Sequence, residues 1–498
     1  MLPDEFTLED LHTTHSITVE DALSHRSGMP RHDFSYGNTS TSEIVKSLKY
    51  LPLTAEPRTT FQYCNTMLAT AGHLVSTLTG RDLGRVLDDW FWEPVGMQST
   101  FFDLPSAIEH GQDRIARGYY WNENDAEMHP TANGASGYYI PEPYLDLGPL
   151  AGAGAVISSV NDYALWMKTI LGASPALRSA HNASSPITSR IYRDVLSPRT
   201  IVDDLVVPSS DPNGFINAPL YALGWFSTRF GGRRLISHGG SLTGFGTELF
   251  IMPDDNFGIV TMGNTVATSN IAGQLIASII LRSKFRGKTD QALSIEDMKQ
   301  YMNLPRGPLP NSDLQSNDDI GQEHEKTCTI IDRNDFSQQL VSGQNNSSYA
   351  GTYSHPAYGS MEVFEAPDAP NIFHVVPSYH IWAYEMIFHP MEENQEEHPL
   401  FFTVDFWRPH GPFQPDVAEV KASACGQSAR SGSAAATCKD KVVWEKFSYV
   451  NNAIAFFQPG PGGQIDQVGI QLSPEMVAKA EREDLSWKDT LIWFGRST

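Results

Sequence analysis

Basic residues and long apolar runs are scarce in this sequence. Its 498 residues include 58 acidic residues against 35 Lys and Arg residues, so the formal net charge at pH 7 is −23. Such a charge repels phosphate backbones, and we therefore expect no nucleic-acid partner. No apolar run reaches the ~18 residues that a membrane-spanning helix needs, so we also expect no membrane span.

Cysteine is rare as well. Cys64, Cys328, Cys425 and Cys438 lack the spacing of metal ligands, so we expect no metal site, and no motif indicates a cofactor. Mainly small residues separate Cys425 from Cys438, and we expect these two to form a disulfide if the protein is secreted. The N-terminal sequence MLPDEFTLED has no basic and no apolar region. As written it predicts a cytoplasmic protein, whereas an upstream signal peptide would lead to secretion.

The composition is that of a globular protein with more than one domain. Hydrophobic residues make up 40% and charged residues 19%, and the length corresponds to roughly two to four domains. The character of the sequence changes twice along the chain. We predict a first domain over residues 1–285, a polar linker over 286–345 and a second domain over 346–498.

The first domain shows signals for both helices and strands. Apolar residues recur at helical spacing after Asn65, and Gly80 follows them as a stop signal, so we predict a helix between these residues. Three strands are predicted, at 233–237, 247–252 and 258–262. Residues 270–284 have the apolar periodicity of an amphipathic helix. Antiparallel strands followed by a helix that packs on them favour an α+β fold.

The second domain is predicted to be all-β. Short apolar segments alternate with turn residues, and the clearest are FHVVPSY, HIWAYEMIF, LFFTVDFW, KVVWEKF and AIAFFQP. This regular alternation is typical of a barrel or a sandwich.

Three segments of the first domain contain candidate functional residues: residues 17–29 (ITVEDALSHRSGM), 61–65 (FQYCN) and 236–245 (ISHGGSLTGF). In this order they resemble the motifs of the serine β-lactamase and penicillin-binding-protein-like superfamily, also called peptidase family S12. Leu223-Gly-Trp225 and Ala151-Gly-Ala-Gly154 match as well, and the resemblance extends over residues 17–284. It implies a β-lactamase/transpeptidase-like domain, in which an antiparallel sheet is packed by helices beside a helical half.

Members of this superfamily are hydrolases and acyltransferases that work through an acyl-serine. They include class C β-lactamases, D-alanyl-D-alanine carboxypeptidases, D-aminopeptidases, esterases and the acyltransferases of fungal polyketide pathways. The resemblance therefore implies a small-molecule acyl substrate, namely an ester, an amide or a D-amino-acid peptide. It is compatible with a role in fungal-type secondary metabolism, and it leaves the oligomeric state open.

The same resemblance implies roles for five residues. Tyr63 corresponds to the base that deprotonates the nucleophile, with a phenol pKa lowered by a neighbouring ammonium group. Asn65 corresponds to a residue that holds substrate amide groups, and His238 to one that donates to Tyr63 or to a substrate carboxylate. Gly239 and Gly240 leave room for the acyl group near the backbone, where a strand N–H stabilises the oxyanion.

The nucleophile of the superfamily is the one motif that this sequence does not contain. Family members place a Ser-x-x-Lys motif some tens of residues before the segment that contains His25. Here 24 residues precede His25, none of them is Lys, and no Lys of the chain has Ser three residues before it. Two explanations stay open: a preceding segment with the motif is missing from this sequence, or the protein is a relative that binds an acyl or peptide ligand without turnover.

Several of these residues also fit plain structural roles. Asn65 is expected as the N-cap of the helix that follows it, and residues 25–28 as a helix terminus with a glycine cap. His374, His380 and His389 lack metal spacing and are expected on strand faces. The second domain resembles the lipocalin-like barrels appended to some D-aminopeptidases and fungal relatives, where such a barrel caps the cleft or serves solubility and dimerisation.

Overall fold

The computed structural model describes residues 1–37, 39–111, 114–122, 138–175, 185–202, 219–285, 348–366, 371–377, 380–381, 384–391, 400–410, 443–447 and 453–497. The predicted linker over 286–345 and the Cys425–Cys438 pair lie outside these residues.

Along the chain, the helices of the first domain precede, separate and follow its strands. They are α1 (Leu11–Ser16), α2 (Val19–Leu23), α3 (Thr41–Ser47), α4 (Asn65–Thr79), α5 (Leu83–Leu87), α6 (Glu93–Val95), α7 (Leu104–Gly111), α8 (Ala151–Gly154), α9 (Val160–Gly172), α10 (Ser189–Leu196) and α11 (Thr268–Phe285). Polar side chains set several starts; the Ser159 side chain, for example, accepts the Asp162 N–H at the beginning of α9. Within the described ranges, no helix is long and apolar enough to cross a bilayer.

The strands of the first domain form a hairpin and a larger sheet. They are β1 (Tyr119–Asn122), β2 (Tyr138–Pro141), β3 (Thr200–Ile201), β4 (Leu220–Tyr221), β5 (Phe226–Phe230), β6 (Arg233–Leu242), β7 (Phe245–Met252) and β8 (Phe257–Gly263). The hairpin is β1–β2, and β3 to β8 pair antiparallel in sequence order. The three predicted strands are confirmed as parts of β6, β7 and β8. Among the described residues, β8 has a strand partner on one side only and forms the edge of the sheet.

Helices α9 and α11 cover opposite faces of this sheet. Successive strand residues point to opposite faces. Ile236 accordingly packs with Met167 of α9, while its neighbour Leu235 packs with Leu281 of α11. The predicted closing helix over 270–284 is thus confirmed as α11, and the domain is α+β as expected.

Helix α4 runs over the predicted residues and ends at Gly80, which has a φ of 65°. Such a left-handed backbone is readily accessible to glycine. One expectation about its start is wrong: Asn65 is the first helical residue, and Cys64 occupies the N-cap position without a side-chain hydrogen bond. The Asn65 side chain is therefore not needed as a cap.

The backbone of α8 packs directly against α4. A Cβ added at Gly152 would lie 2.7 Å from the carbonyl oxygen of Leu68 and 3.2 Å from Cα of Ala69. Neither contact can be relieved by a rotamer change, because both atoms belong to the helix backbone. The Ala-Gly-Ala-Gly motif therefore fixes how closely α8 approaches the helix that begins beside Tyr63.

The second domain is a closed antiparallel barrel. Its elements are β9 (Gly351–His355), β10 (Gly359–Glu365), β11 (Phe373–Pro377), β12 (Glu385–Pro390), β13 (Phe401–His410), β14 (Val443–Phe447), β15 (Ile454–Pro459), β16 (Ile465–Ile470), α12 (Pro474–Glu483) and β17 (Ile492–Arg496). Eight strands close the ring, since β12 pairs with β13 as well as with β11, and β14 pairs with β13 outside it. The all-β prediction is confirmed, with the barrel chosen over the sandwich.

Aromatic rings fill the barrel and leave its interior packed. Tyr353, Phe373, Phe402 and Phe457 are fully buried, and the ring centroids of Phe373 and Phe402 lie 5.5 Å apart at 79°. Edge-to-face contacts of this kind are favourable for aromatic pairs. The described interior of the barrel is therefore a packed aromatic core.

The barrel docks on the segment that follows the first motif. His32 Nδ1 accepts a hydrogen bond from the Tyr358 hydroxyl at 2.7 Å, and His32 Nε2 donates to the Pro52 carbonyl at 2.9 Å. The rings of Phe34 and Phe406 stack at 5.3 Å. These contacts belong to one continuous apolar core that includes side chains from both domains.

We expect Gly152→Ala to lower the free energy of unfolding by about 1–3 kcal/mol, because the new methyl group forces α8 away from α4. Chemical denaturation measures this change. Gly172→Ala is the matched control, since no atom lies within 4 Å of its added Cβ and Ala is favoured over Gly in a helix by roughly 0.5–1 kcal/mol. Equal stability of the two variants would contradict the close α8–α4 contact.

Candidate active site

One cavity brings together all five residues that the motifs single out. Tyr63 immediately precedes Cys64, the N-cap residue of α4, and Asn65 is the first residue of the helix, while His238, Gly239 and Gly240 lie on β6. All five line a cavity of about 1080 Å³. The side chains of Tyr63, Asn65 and His238 are partly exposed. Residues 175 positions apart in the sequence therefore face the same space.

His238 is held by hydrogen bonds at both ring nitrogens. Nδ1 lies 2.7 Å from the carbonyl oxygen of Gly239, and Nε2 lies 3.0 Å from the hydroxyl of Tyr221. A carbonyl only accepts, so Nδ1 must be the protonated nitrogen and the Tyr221 hydroxyl donates to Nε2 of the neutral ring. Burial lowers the pKa of His238, and the hydrogen bond to Gly239 offsets part of that effect. Within the described residues, no hydrogen bond joins His238 to Tyr63.

Tyr63 lies between a neutral histidine and a buried cation. The His25 ring is tilted against it at a centroid distance of 4.1 Å, and the Arg31 guanidinium carbon lies 5.2 Å from the centre of the Tyr63 ring. Burial raises the pKa of the Tyr63 phenol, and the Arg31 charge opposes this only in part. The expected lowering of the phenol pKa depends on the ammonium of the Ser-x-x-Lys motif; in this chain, which does not contain that motif, burial outweighs the nearby Arg31 cation.

Arg31 supports the Tyr63 ring, a contact that the sequence analysis did not predict. Its Nε donates to Asp33 at 2.8 Å, and both side chains are almost fully buried. The hydroxyl of Tyr36 donates to the other oxygen of Asp33 at 2.7 Å. The only sequence signal was its position two residues after the His-Arg-Ser-Gly-Met segment, which by itself suggests no contact with Tyr63.

His25 joins the first motif to the second. Its Nδ1 accepts the Cys64 N–H at 3.0 Å, and its carbonyl oxygen accepts the Gln62 N–H at 2.8 Å. His25 also has a left-handed backbone, with a φ of 54°. The expected glycine cap is therefore corrected: the helix ends at Leu23, and His25 adopts the left-handed conformation three residues before Gly28. Burial holds the pKa of His25 well below its usual value, so the ring is a neutral structural support.

A buried carboxylate anchors this segment. Asp21 accepts hydrogen bonds from Arg26 Nε at 2.7 Å and from Arg58 Nη2 at 2.7 Å, and Thr18 completes a capping box with it. Burial alone would raise the pKa of Asp21, but the hydrogen bonds from Arg58, Thr18 and Arg26 outweigh it and bring the pKa to about 2. Asp21 thus holds Arg26 and Arg58 together, and His25, the neighbour of Arg26, lies against the Tyr63 ring.

Among the described strands, the cavity end of β6 has a neighbour on one side only. Its pairing with β5 stops at Ser237, whereas its pairing with β7 continues to Leu242. Backbone groups beyond Ser237 on the β5 side are therefore not used by the sheet. A Cβ at Gly240 would lie 2.5 Å from the Thr247 hydroxyl oxygen, so position 240 has no room for a side chain in this arrangement. Such an edge can supply an N–H to a developing oxyanion.

Glu248 lines the same cavity from the opposite face of the sheet. Its carboxylate would lie 3.0 Å from a Cβ at Gly239, and it accepts hydrogen bonds from Asn270 and Gln274 of α11 at 3.0 Å each. Burial raises the pKa of Glu248, and these two hydrogen bonds partly offset the effect. Because it faces α11 and not Tyr63, we assign Glu248 a structural role.

The three histidines that the sequence singled out in the second domain do not line this cavity. His374 on β11 pairs with Glu385 at 2.6 Å, and His389 on β12 lies 3.3 Å from Asp405. His380 is not on a strand, contrary to the expectation; its Nε2 donates to the Asp33 carbonyl at 3.1 Å. In the part of the chain that the structure describes, no group of three or more potential ligands could hold a metal ion.

An α+β domain with Tyr-x-Asn at a helix start, facing a His-Gly-Gly strand edge, defines the class of β-lactamase/transpeptidase-like proteins. The sequence model of the family described as Beta-lactamase matches residues 3–279. The chain belongs to this family.

Curated relatives agree with the assignment. The chain is 32% identical over 369 residues to "Unguisins hydrolase ungD'" of Aspergillus campestris, covering 73% of this chain and 61% of the relative. It is 31% identical over 379 residues to "Unguisins hydrolase ungD" of Aspergillus violaceofuscus, covering 74% and 62%. A D-aminopeptidase of Cereibacter sphaeroides is 23% identical over 225 residues, covering 45% and 36%. The chain thus spans about three fifths of the length of the first two relatives.

Solved structures are matched more loosely. The octameric penicillin-binding protein homologue from Pyrococcus abyssi has a TM-score of 0.44 at 14% identity, covering 93% of this chain and 78% of that one. A D-stereospecific amidohydrolase from Streptomyces has a TM-score of 0.40 at 17% identity, covering 58% and 77%.

We expect Asp21→Asn to lower the free energy of unfolding by about 2–4 kcal/mol at pH 7, because Arg26 and Arg58 lose a buried charged partner. The folded-state pKa of about 2 lies below the usual value of 3.8. The contribution is therefore complete above about pH 4 and is lost as the pH falls towards 2. Chemical denaturation of the wild type and of Asp21→Asn between pH 2 and 7 measures the difference in their free energies of unfolding.

The control for this prediction is Asp194→Asn. Asp194 forms an ion pair with Arg190 that is largely exposed, so its loss should change stability by less than about 0.5 kcal/mol at any pH. A gap between wild type and Asp21→Asn that does not narrow at low pH would contradict the assigned role of Asp21.

Proposed function

We propose that the protein is a serine hydrolase or acyltransferase that acts on an amide or an ester through an acyl-serine. The observation that carries the proposal is the meeting of Tyr63, Asn65 and the β6 edge at one cavity. In this proposal residues 1–285 form the catalytic domain, 286–345 the linker and 346–498 a lipocalin-like barrel domain. The nucleophile comes from a Ser-x-x-Lys segment that this sequence does not contain.

The proposed mechanism assigns each chain element one task. Tyr63 accepts the proton of the nucleophile, once the Lys of the absent motif adds a second cation beside it and lowers its pKa. Asn65 donates to the acyl group of the substrate. Backbone N–H groups of β6 beyond Ser237 stabilise the oxyanion, and Gly239 and Gly240 leave room for it.

The names of the relatives favour an amide as the substrate. Two Aspergillus relatives are named as hydrolases of unguisins, and a more distant one is named a D-aminopeptidase. We therefore propose a peptide-like amide with D-residues, in fungal-type secondary metabolism, as the first substrate class to test. Hydrolysis and acyl transfer share the acyl-serine and differ only in whether water or another acceptor attacks it.

A second candidate function is a binding protein without turnover. The observation in its favour is that no Lys of the chain follows a Ser by three residues. In this case the cavity holds an acyl or peptide ligand and Tyr63 is only a wall residue. Sequencing the transcript upstream of Met1 separates the two functions, because an in-frame Ser-x-x-Lys supports the enzyme.

We expect the 498-residue chain by itself to resist covalent labelling by a fluorophosphonate or a β-lactam, since loss of a catalytic serine costs a factor of about 10⁶ in turnover. A form that includes the Ser-x-x-Lys segment should be labelled at that serine. Intact-protein mass spectrometry measures both. Labelling of the 498-residue chain would show that the nucleophile lies within it.

In the form that is labelled, we expect Tyr63→Phe to reduce turnover of a D-amino-acid amide by about 10²–10⁴-fold, because the general base is lost. Tyr163→Phe is the matched control: Tyr163 also lines the cavity and is partly buried, but it has no proposed role. Steady-state kinetics compare the two variants. Equal turnover in both would remove Tyr63 from the mechanism.

A further inference from the structure

The hydrogen bonds of His238 determine what the cavity wall offers to a substrate. Its N–H at Nδ1 is used by the Gly239 carbonyl, and its Nε2 accepts from Tyr221. A neutral imidazole has one donor and one acceptor, so both are occupied. His238 therefore has no N–H left to donate to a carboxylate.

The surroundings of Tyr221 stabilise its hydrogen bond to Nε2 of His238. It is fully buried, and its ring is packed by His25 at 5.0 Å, Phe61 at 5.2 Å and Phe226 at 4.8 Å between centroids. Its hydroxyl therefore has no access to bulk water, and the only hydrogen-bond partner that the structure gives it is Nε2 of His238. Breaking the bond would leave a buried hydroxyl unsatisfied, which is unfavourable. Tyr221 thus acts through His238 as a positioning residue.

The charged side chains of the cavity do not supply the carboxylate-binding donor that His238 lacks. The charged side chains in its described lining are Asp103, Arg114, Asp146 and Glu248. Asp103, Arg114 and Asp146 are solvent-exposed, and Glu248 is hydrogen-bonded to α11. Arg31 lies beneath the Tyr63 ring and does not line the cavity. The described lining therefore offers a substrate carboxylate no buried cationic partner, which is unfavourable.

We propose that this cavity takes acyl substrates with no free carboxylate beside the scissile bond, and that Tyr221 sets this preference by holding His238 as a neutral ring. The substrate class is an internal amide or ester, or an amide-capped end, and not the last peptide bond before a free C-terminus. The inference rests on the proposed function, because it assigns the substrate of the same site. It replaces the expectation that His238 donates to a substrate carboxylate.

Binding tests this inference without a need for turnover. The probes are N-acetyl-D-Phe-D-Ala with a free carboxylate and the same dipeptide with a C-terminal carboxamide, titrated calorimetrically into the 498-residue chain at pH 7. We expect the carboxamide to bind at least about tenfold more tightly, the size of one lost charge-assisted hydrogen bond. His238→Lys should reverse the preference, because it adds an ammonium at the wall.

Two further variants separate specificity from folding. Tyr221→Phe keeps the ring packing but removes the hydroxyl that donates to Nε2 of His238. We therefore expect the peptide with the free carboxylate to bind better, so that the difference in affinity between the two peptides becomes smaller. Thr77→Lys adds the same charge as His238→Lys at an exposed position of α4 and should leave the ratio unchanged. Nitrogen NMR of labelled His238 provides a second readout, with Nδ1 protonated and Nε2 bare at neutral pH.

Several outcomes would overturn the inference. These are tighter binding of the acid by the wild-type chain, failure of both peptides to bind, and a protonated His238 ring at pH 7. None of them decides the hydrolase proposal, which stands or falls on labelling and turnover of the form that contains Ser-x-x-Lys. Failure of the substrate class and failure of the function are therefore distinguishable.

Discussion

The buried Arg31–Asp33 ion pair is the interaction on which the site's geometry depends. Asp33 holds the guanidinium at 2.8 Å, and Arg31 in turn supports the Tyr63 ring from below. A buried charge is tolerated only when it is paired and hydrogen-bonded. The barrel encloses this pair, since the Asp33 carbonyl also accepts from His380. The second domain thus contacts the ion pair that lies beneath Tyr63.

Burial makes the rings around the cavity neutral. The pKa values of His25 and His238 are lowered and that of Tyr63 is raised, in each case mainly by desolvation. The same physical effect thus gives a cavity wall of neutral rings at Tyr63 and His238, with the Arg31 cation beneath the Tyr63 ring. Such a wall suits a neutral amide or ester, and it needs an added cation before Tyr63 can act as a base. The two proposals are linked through this one electrostatic property.

Much of the first domain could be predicted because its signals are local. The helix from Asn65 to Gly80, strands β6 to β8 and helix α11 follow from periodicity and turn residues. The family followed from the order of the motifs. The end of α2 was less predictable, because glycine statistics favour Gly28 as the cap, whereas the helix ends at Leu23 and both His25 and Gly28 have a positive φ. Arg31 was missed because nothing in its neighbours reveals that the chain turns back under Tyr63.

The sequence by itself determined the class of the protein, the main helices and strands beside the site, the all-β character of the second domain and five of the residues that line the cavity. These features depend on residue type and spacing, which are properties of the chain. The tertiary structure decided the protonation states and the hydrogen-bond partners of the side chains at the cavity. Only the fold brings Tyr221 to Nε2 of His238 at 3.0 Å, and the burial of Tyr63 in that fold raises the pKa of its phenol in this chain. Desolvation and hydrogen-bond geometry depend on what surrounds a group in space, and sequence neighbours do not specify that.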